Sequence, residues 1–313
     1  MEFRRLGRTG LQVSRVALGS GGANRLGQMR GATSAEIGAL VGTALDLGIN
    51  FFDTAPVYAD SERLLGETLA ATPRDDYVVA TKFHPGYDGP LPTAATLVES
   101  VEESLRRLRI ETLDVLFLHA VIPERYQAAT EELVPAMVGL QERGAVRFLG
   151  ITEAQIRDPG HATLELALGD GTFDVVMAAY NILNQSSAVR LFDLASAGDI
   201  GVIVMTAVRR ALANPALLEE RLSDAVARQL IDAEALPPHD PLGWLIHDGV
   251  DSVAAAAYKF AAAPDQVATV LTGTADRLHL AQNVAAVLGA PLPASDMDRL
   301  RSVFAGLAEP LAE

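Results

Sequence analysis

Four polar residues in the first 120 positions could together move a proton at neutral pH. They are Asp53, Tyr58, Lys82 and His119, and three of them directly follow strand-like apolar runs. A tyrosine hydroxyl has an ordinary pKa of about 10, and a neighbouring ammonium lowers it by stabilising the phenolate. A carboxylate beside the lysine would keep the ammonium charged. We therefore expect Asp53 and Lys82 to lower the pKa of Tyr58, the general acid/base, and a neutral His119 to orient a carbonyl oxygen.

Each of these residues alone also has an ordinary structural explanation. Asp53 could cap a turn, and Tyr58 or His119 could be a buried ring whose polar atom is satisfied. Lys82 is harder to explain, because a lysine is rarely buried at a strand end without a partner. The combination favours catalysis, because the structural explanation would have to hold for all of them at once.

The elements that carry these residues repeat as strand followed by helix. Predicted strands are 16–18, 50–52, 77–81, 113–118, 146–151, 174–178, 201–205 and 267–271. Predicted helices are 33–47, 61–71, 93–108, 130–143, 161–169, 186–197, 252–263 and 278–288, with a tail helix at 295–308. Two short alternating runs around Gly7–Gly10 predict an N-terminal β-hairpin.

The strands are continuously apolar, which indicates parallel pairing with helices on the outside. Eight such units predict an α/β fold, a (β/α)8 TIM barrel with an N-terminal β-hairpin and a C-terminal helix, as one domain over residues 1–313. A doubly wound open sheet is the alternative, but the first strand is not followed by a Gly-x-Gly-x-x-Gly turn. In a barrel, residues at the carboxyl ends of neighbouring strands meet at one mouth, so the four polar side chains should converge.

Composition restricts the possible partners. The chain has 313 residues, no cysteine and a formal charge of −15. Such an acidic balance argues against nucleic acid or an anionic membrane as the main partner. The N-terminus has no apolar signal-like run, and no window reaches the ~20 apolar residues needed to cross a bilayer. We therefore expect a cytoplasmic protein with a small-molecule substrate.

The motifs around the polar residues match a known family. Residues 48–58 read Gly-Ile-Asn-Phe-Phe-Asp-Thr-Ala-Pro-Val-Tyr, and residues 61–66 read Ser-Glu-Arg-Leu-Leu-Gly. Together with Lys82 and with Leu-Asp-x-x-x-Leu-His at 113–119, they closely resemble the aldo/keto reductases. The resemblance extends from the hairpin to Asn283. It implies a barrel that binds NADP(H) across its mouth and transfers hydride reversibly to a carbonyl carbon, with Tyr58 protonating the alkoxide.

The resemblance also implies a set of cofactor-binding residues. NADP is the expected cofactor, with NAD the second possibility, and no metal is expected. The candidate residues are Ser20, Gly21, Asp53, Thr152, Glu153, Met205, Thr206, Arg209, Arg210, Gly273, Thr274, Arg277, His279, Gln282 and Asn283.

Several of these positions depart from the family pattern. Thr152-Glu153 replaces a frequent Ser-Asn pair that grips the nicotinamide amide. Met177 stands where the sixth strand usually ends in Gln, and Met205-Thr206 where an aromatic residue usually stacks on the ring. His279 replaces the frequent arginine for the 2′-phosphate, although a helix N-terminus nearby suits an anion.

Two other readings of the sequence remain. Lys82 could form a Schiff base as in an aldolase, although Asp53 would raise its pKa and disfavour that role. The β subunits of potassium channels resemble this family too, so the chain could be a nucleotide-binding regulatory subunit with little turnover. Segments 20–32, 84–92, 121–129 and 206–250 are predicted as pocket-forming loops, and they do not identify the substrate.

Overall fold

The computed structural model describes residues 1–307 and 309–312. Its strands are β1 (Phe3–Arg5), β2 (Gln12–Ser14), β3 (Val16–Gly19), β4 (Phe51–Asp53), β5 (Val78–Phe83), β6 (Leu113–Val121), β7 (Val146–Glu153), β8 (Val175–Ala179), β9 (Gly201–Met205) and β10 (Val267–Thr272). Its helices are α1 (Ser34–Asp46), α2 (Ser61–Leu69), α3 (Ala94–Leu108), α4 (Pro123–Glu142), α5 (Ala162–Asp170), α6 (Ser187–Ala197), α7 (Pro215–Ala227), α8 (Val253–Ala262), α9 (Arg277–Leu288) and α10 (Ala294–Phe304).

Strands β3 to β10 form a closed barrel of parallel strands. Each pairs with the next along the chain, and β10 pairs back onto β3. The antiparallel β1–β2 hairpin lies outside this order. The predicted (β/α)8 barrel, with its N-terminal hairpin and C-terminal helix, is confirmed.

Successive side chains of the barrel strands point alternately inward and outward, and they form two separate apolar cores. Ala17 and Phe51 belong to a cluster inside the barrel, whereas their neighbours Leu18 and Phe52 belong to the larger cluster shared with the helices. Successive strand side chains point to opposite faces, so a strand buried on both sides needs apolar residues at every position. Leu6 of the hairpin joins the inner cluster.

Local signals explain where several helices begin. Thr33 accepts a hydrogen bond from the Glu36 amide, and the Glu36 carboxylate accepts one from the Thr33 amide, which forms a capping box before α1. Asn214 caps α7 in a similar way, with Pro215 in the first turn. Proline fits there because the first amides of a helix have no partner within it.

Three sequence predictions about helices differ from the structure. The predicted helix 130–143 begins seven residues earlier, as α4 at Pro123, so segment 121–129 is largely helical rather than a loop. Its first turn, Pro-Glu-Arg-Tyr, has no apolar periodicity that would predict a helix. The predicted irregular segment 206–250 contains α7. The tail helix, predicted over 295–308, ends at Phe304, and Ala308 lies outside the described residues.

Within the described part of the chain, no helix is both long enough and apolar enough to span a bilayer.

Candidate active site

An ion pair between Lys82 and Asp53 forms the base of the site. Both residues lie at the carboxyl ends of neighbouring strands, and both side chains are buried. The Lys82 Nζ donates to Asp53 Oδ1 at 2.5 Å and to the Thr54 carbonyl at 2.8 Å. Burial alone would lower the pKa of Lys82, but the neighbouring Asp53 carboxylate and Tyr58 hydroxyl together outweigh it and the pKa is raised. Lys82 therefore stays charged, which disfavours the free amine that a Schiff base requires.

Tyr58 lies over this ion pair. The Lys82 Nζ is 5.0 Å from the centroid of the Tyr58 ring. Burial raises the pKa of the Tyr58 hydroxyl above its usual 10, and Lys82 lowers it only in part. Our prediction that the ammonium would dominate is therefore wrong, because the low-dielectric surroundings penalise the phenolate more than one paired ammonium stabilises it. Tyr58 is held in its protonated form.

His119 completes the cluster from β6. The strand continues past His119 to Val121, and its register with β7 shifts between Leu118 and Val121. The His119 Nε2 lies 3.3 Å from the Tyr58 hydroxyl. Burial, helped by the Lys82 charge, lowers the pKa of His119 well below 6.5, so the ring is neutral. The structure thus brings the four predicted catalytic side chains together.

A cavity of about 930 Å³ opens above these residues. It is at the upper end of the size range of small-molecule sites in proteins, roughly 300–1,000 Å³. Asp53, Tyr58, Lys82 and His119 line one part of it. Residues that follow β9 and β10, together with parts of α8 and α9, line much of the rest, and residues that follow β3 or lie at the end of β7 also contribute.

Most of the predicted cofactor residues line this cavity. Those that do are Gly21, Asp53, Thr152, Glu153, Met205, Thr206, Arg209, Arg210, Gly273, Thr274, His279, Gln282 and Asn283. Ser20 and Arg277 are not among its described lining residues. Ser20 is buried, and its amide donates to the Asp53 carbonyl. Gly21 lies against Tyr58, where a Cβ would come within 2.7 Å of the ring carbon Cζ.

The N-terminus of α9 carries a carboxylate that opposes anion binding. Asp276 accepts hydrogen bonds from the amides of Leu278 and His279 at 2.7 and 3.1 Å. These bonds lower the pKa of Asp276, so it is ionised. The helix end that we expected to receive a phosphate is therefore already capped by a negative charge, although His279 nearby lines the cavity.

Sequence reasoning missed several residues of α8 that line the cavity. The Tyr258 hydroxyl and the Asn283 amide both lie 2.8 Å from the Thr272 hydroxyl, which links α8 and α9 to β10. Lys259 supplies a cation, and its Nζ donates to the Ala290 carbonyl at 2.5 Å. An alanine-rich helix gave no signal for these roles beyond the presence of one lysine.

Known proteins resemble the chain over long stretches. L-galactose dehydrogenase of Arabidopsis thaliana is 36% identical over 212 residues, which cover 65% of this chain and 64% of that protein. A probable voltage-gated potassium channel subunit beta of Oryza sativa subsp. japonica is 33% identical over 162 residues, covering 49% of this chain and 47% of that protein. The chain thus matches less than two thirds of the length of either relative.

A solved structure and a family profile extend the likeness to the whole fold. Aldo-keto reductase AKR11C1 from Bacillus halodurans, in its holo form, superposes with a TM-score of 0.73 at 25% identity, covering 100% of both chains. Residues 17–305 match the Aldo/keto reductase family. The chain therefore belongs to the aldo/keto reductase family.

Proposed function

We propose that the protein is an NADP(H)-dependent oxidoreductase that interconverts a carbonyl group and an alcohol by hydride transfer. The observation that carries the proposal is the contact of the Tyr58 hydroxyl with a neutral His119, above the buried Lys82–Asp53 ion pair and at one end of a large cavity. This arrangement offers a proton donor and a neutral hydrogen-bond donor to the same oxygen atom.

The protein's own residues perform the proton chemistry. In the reduction direction, Tyr58 donates its proton to the oxygen of the reacting carbonyl, and the Lys82 ammonium stabilises the phenolate that forms. His119, being neutral, donates a hydrogen bond from Nε2 to the same oxygen and orients it. Lys82 is kept charged by Asp53 throughout. A bound nicotinamide would supply or accept the hydride at the neighbouring carbon.

The remaining cavity residues fit a dinucleotide. The volume is sufficient, and Arg209, Arg210 and Lys259 line the cavity and provide positive charge. Gly273 also lines the cavity, and there a backbone without a side chain can approach a phosphate closely. NADP is the proposed cofactor, with NAD the second candidate because Asp276 opposes a phosphate at α9.

The substrate is proposed to be a small aldehyde, ketone or sugar. The likeness to L-galactose dehydrogenase supports testing sugars first. The alternative function is a nicotinamide-nucleotide-binding regulatory subunit with little turnover, which the likeness to a probable potassium channel β subunit supports.

The test is a fluorescence titration of the protein with NADPH and NADH, followed by turnover assays on a panel of sugars, aliphatic aldehydes and ketones. We expect saturable binding, tighter for NADPH, and turnover of at least one class. Tight binding with negligible turnover over the whole panel would favour the regulatory subunit. Failure of both nucleotides to bind would contradict both functions.

A further inference from the structure

A buried carboxylate, Glu153, faces the cofactor cavity at the end of β7. It lines the cavity and is 2% exposed. Its Oε1 accepts a hydrogen bond from the Ala179 amide at 2.7 Å, and its Oε2 lies 2.5 Å from the Nδ1 of His161. Each carboxylate oxygen has two lone pairs, so both oxygens can still accept a hydrogen bond from a ligand.

The hydrogen bonds around His161 define its charge. The Ser186 hydroxyl donates to the side-chain oxygen of Asn184 at 2.8 Å, and the Ser187 hydroxyl donates to the Ala179 carbonyl at 2.5 Å. Both hydroxyl oxygens also face the His161 Nε2, at 2.7 and 3.3 Å. Because their hydrogens are already used, Nε2 must be the donor. Burial alone would lower the pKa of His161, but the Glu153 carboxylate facing Nδ1 raises it. Burial raises the pKa of Glu153 as well, and we assign the pair as an imidazolium and a carboxylate.

The two partners of the ion pair are placed differently relative to the cavity. Glu153 lines the cavity, whereas neither His161 nor Ser186 is among the described residues that do so. The negative partner thus faces the cavity, and the positive partner lies behind it. Glu153 is also close to the catalytic cluster, because it pairs in register with Val121, two residues beyond His119.

The nicotinamide must lie at this end of the cavity. Tyr58 and His119 bind the oxygen of the reacting carbonyl, so the hydride donor has to be next to the carbon attached to it. The oxidised nicotinamide ring is a cation, and the reduced ring is neutral. A carboxylate nearby attracts the cation in a site shielded from water.

We propose that Glu153 makes the site bind the oxidised cofactor in preference to the reduced one, with His161 as the positioning residue that keeps Glu153 ionised. This inference rests on the proposed function and specifies which redox state of the cofactor the site retains. Tighter binding of NADP⁺ than of NADPH shifts hydride transfer on the protein towards NADP⁺ and alcohol, that is, towards reduction of the carbonyl.

Other charged groups near this pair are already engaged. Asp158, which faces both Glu153 and His161, accepts hydrogen bonds from the amides of Ala162 and Thr163 at 2.9 and 2.8 Å. Glu165, the other acid near His161, pairs with Arg190 at 3.2 Å. Lys82 is neutralised by Asp53. Glu153 thus presents its carboxylate to the nicotinamide end, while its counter-ion His161 is not among the described residues that line the cavity.

The test compares the dissociation constants of NADP⁺ and NADPH by quenching of protein fluorescence. Glu153→Gln keeps an acceptor for the Ala179 amide and removes the charge. We expect the ratio of the NADPH dissociation constant to the NADP⁺ dissociation constant to fall about tenfold in this variant, equivalent to about 1.4 kcal/mol. Glu153→Asp, which keeps the charge, should retain most of the preference. Glu165→Gln is the matched control, and its ratio should equal that of the wild type.

His161→Gln supplies a second readout. Burial raises the pKa of Glu153 even beside the imidazolium, and removing the imidazolium raises it further. As pH falls from about 9 to about 6, the preference for NADP⁺ should therefore be lost at a higher pH in the variant than in the wild type. Thermal melting checks that each variant is folded.

The outcomes separate this inference from the proposed function. If wild-type protein binds neither nucleotide, the proposed function fails and this inference fails with it. If both nucleotides bind but folded Glu153→Gln keeps the wild-type ratio, this inference alone is overturned.

Discussion

The two ends of the cavity are built on different principles. At the catalytic end, side chains from three neighbouring strands contact one another, and Lys82 and Asp53 are buried and fully paired. At the opposite end, loops and helices supply scattered cations, and one of them, Lys259, already donates to a backbone carbonyl. Asp276, which is exposed there, even places a negative charge where a phosphate was expected.

This difference indicates which residues can vary. Removing one partner of a buried ion pair leaves an uncompensated charge, so the catalytic cluster must be kept or lost as a unit. An exposed charge at the cofactor end is screened by solvent and can change at low cost. On the proposed function, reaction chemistry is set at one end of the cavity, and the preference between NADP and NAD is adjusted at the other.

The largest expected effect follows from breaking the buried ion pair. Lys82→Met should lower kcat by about 10³-fold, because Tyr58 loses the cation that stabilises its phenolate. It should also cost about 3–5 kcal/mol of unfolding free energy, because Asp53 remains buried without a partner.

The double variant Asp53→Asn/Lys82→Met is its control. Chemical denaturation should show most of the stability regained, while single-turnover kinetics show no recovery of activity. If Lys82→Met alone left both stability and turnover unchanged, the ion pair would have neither role.

A smaller effect is expected from crowding Tyr58. In Gly21→Ala, the added Cβ would lie 2.7 Å from Cζ and 2.9 Å from Cε2 of the Tyr58 ring, so the ring must move. Displacing a reacting group by ~1 Å can cost about 10²-fold in rate, so we expect kcat to fall by about that factor. Gly42→Ala in α1 is the matched control, since its Cβ meets nothing within 4 Å. Steady-state kinetics with an unchanged kcat in Gly21→Ala would contradict the contact.

At the cofactor end, Asp276→Asn should change preference rather than chemistry. Asparagine caps a helix about as well as aspartate, so α9 should keep its start while the negative charge disappears. We expect the affinity for NADPH to rise about two- to threefold and that for NADH to stay the same, because only NADPH carries the 2′-phosphate and solvent screens an exposed charge. Fluorescence titration measures both.

Asp298→Asn, a change of an exposed charge on α10, is the control for Asp276→Asn. An equal gain for both nucleotides in Asp276→Asn would show that Asp276 does not discriminate the phosphate.

The smallest effect is expected from pH. The pKa of His119 lies well below 6.5 and that of Tyr58 above 10, so neither group changes protonation between those values. For carbonyl reduction, kcat/KM should therefore vary little between about pH 7 and 9. Alcohol oxidation needs the phenolate and should become faster as pH rises towards the pKa of Tyr58. A bell-shaped reduction profile centred near neutrality would show that another group titrates.

Sequence alone was sufficient for the barrel and for the strand ends that carry Asp53, Lys82 and His119. Continuously apolar strands imply parallel pairing, and parallel strands present their carboxyl ends at one mouth. The shift in the pKa of Tyr58 was mispredicted, because its sign depends on how deeply the ring is buried. Residues brought close only by the fold, such as His161 beside Glu153, carry no local signal.

The central claim is that Tyr58 donates the proton while the rest of the site binds the cofactor. The most direct measurement is a single-turnover reaction of Tyr58→Phe loaded with NADPH, with the dissociation constant of NADPH measured on the same sample. We predict that affinity stays within about twofold of wild type while the rate falls by at least about 10³-fold. Substantial turnover in this variant would contradict the account.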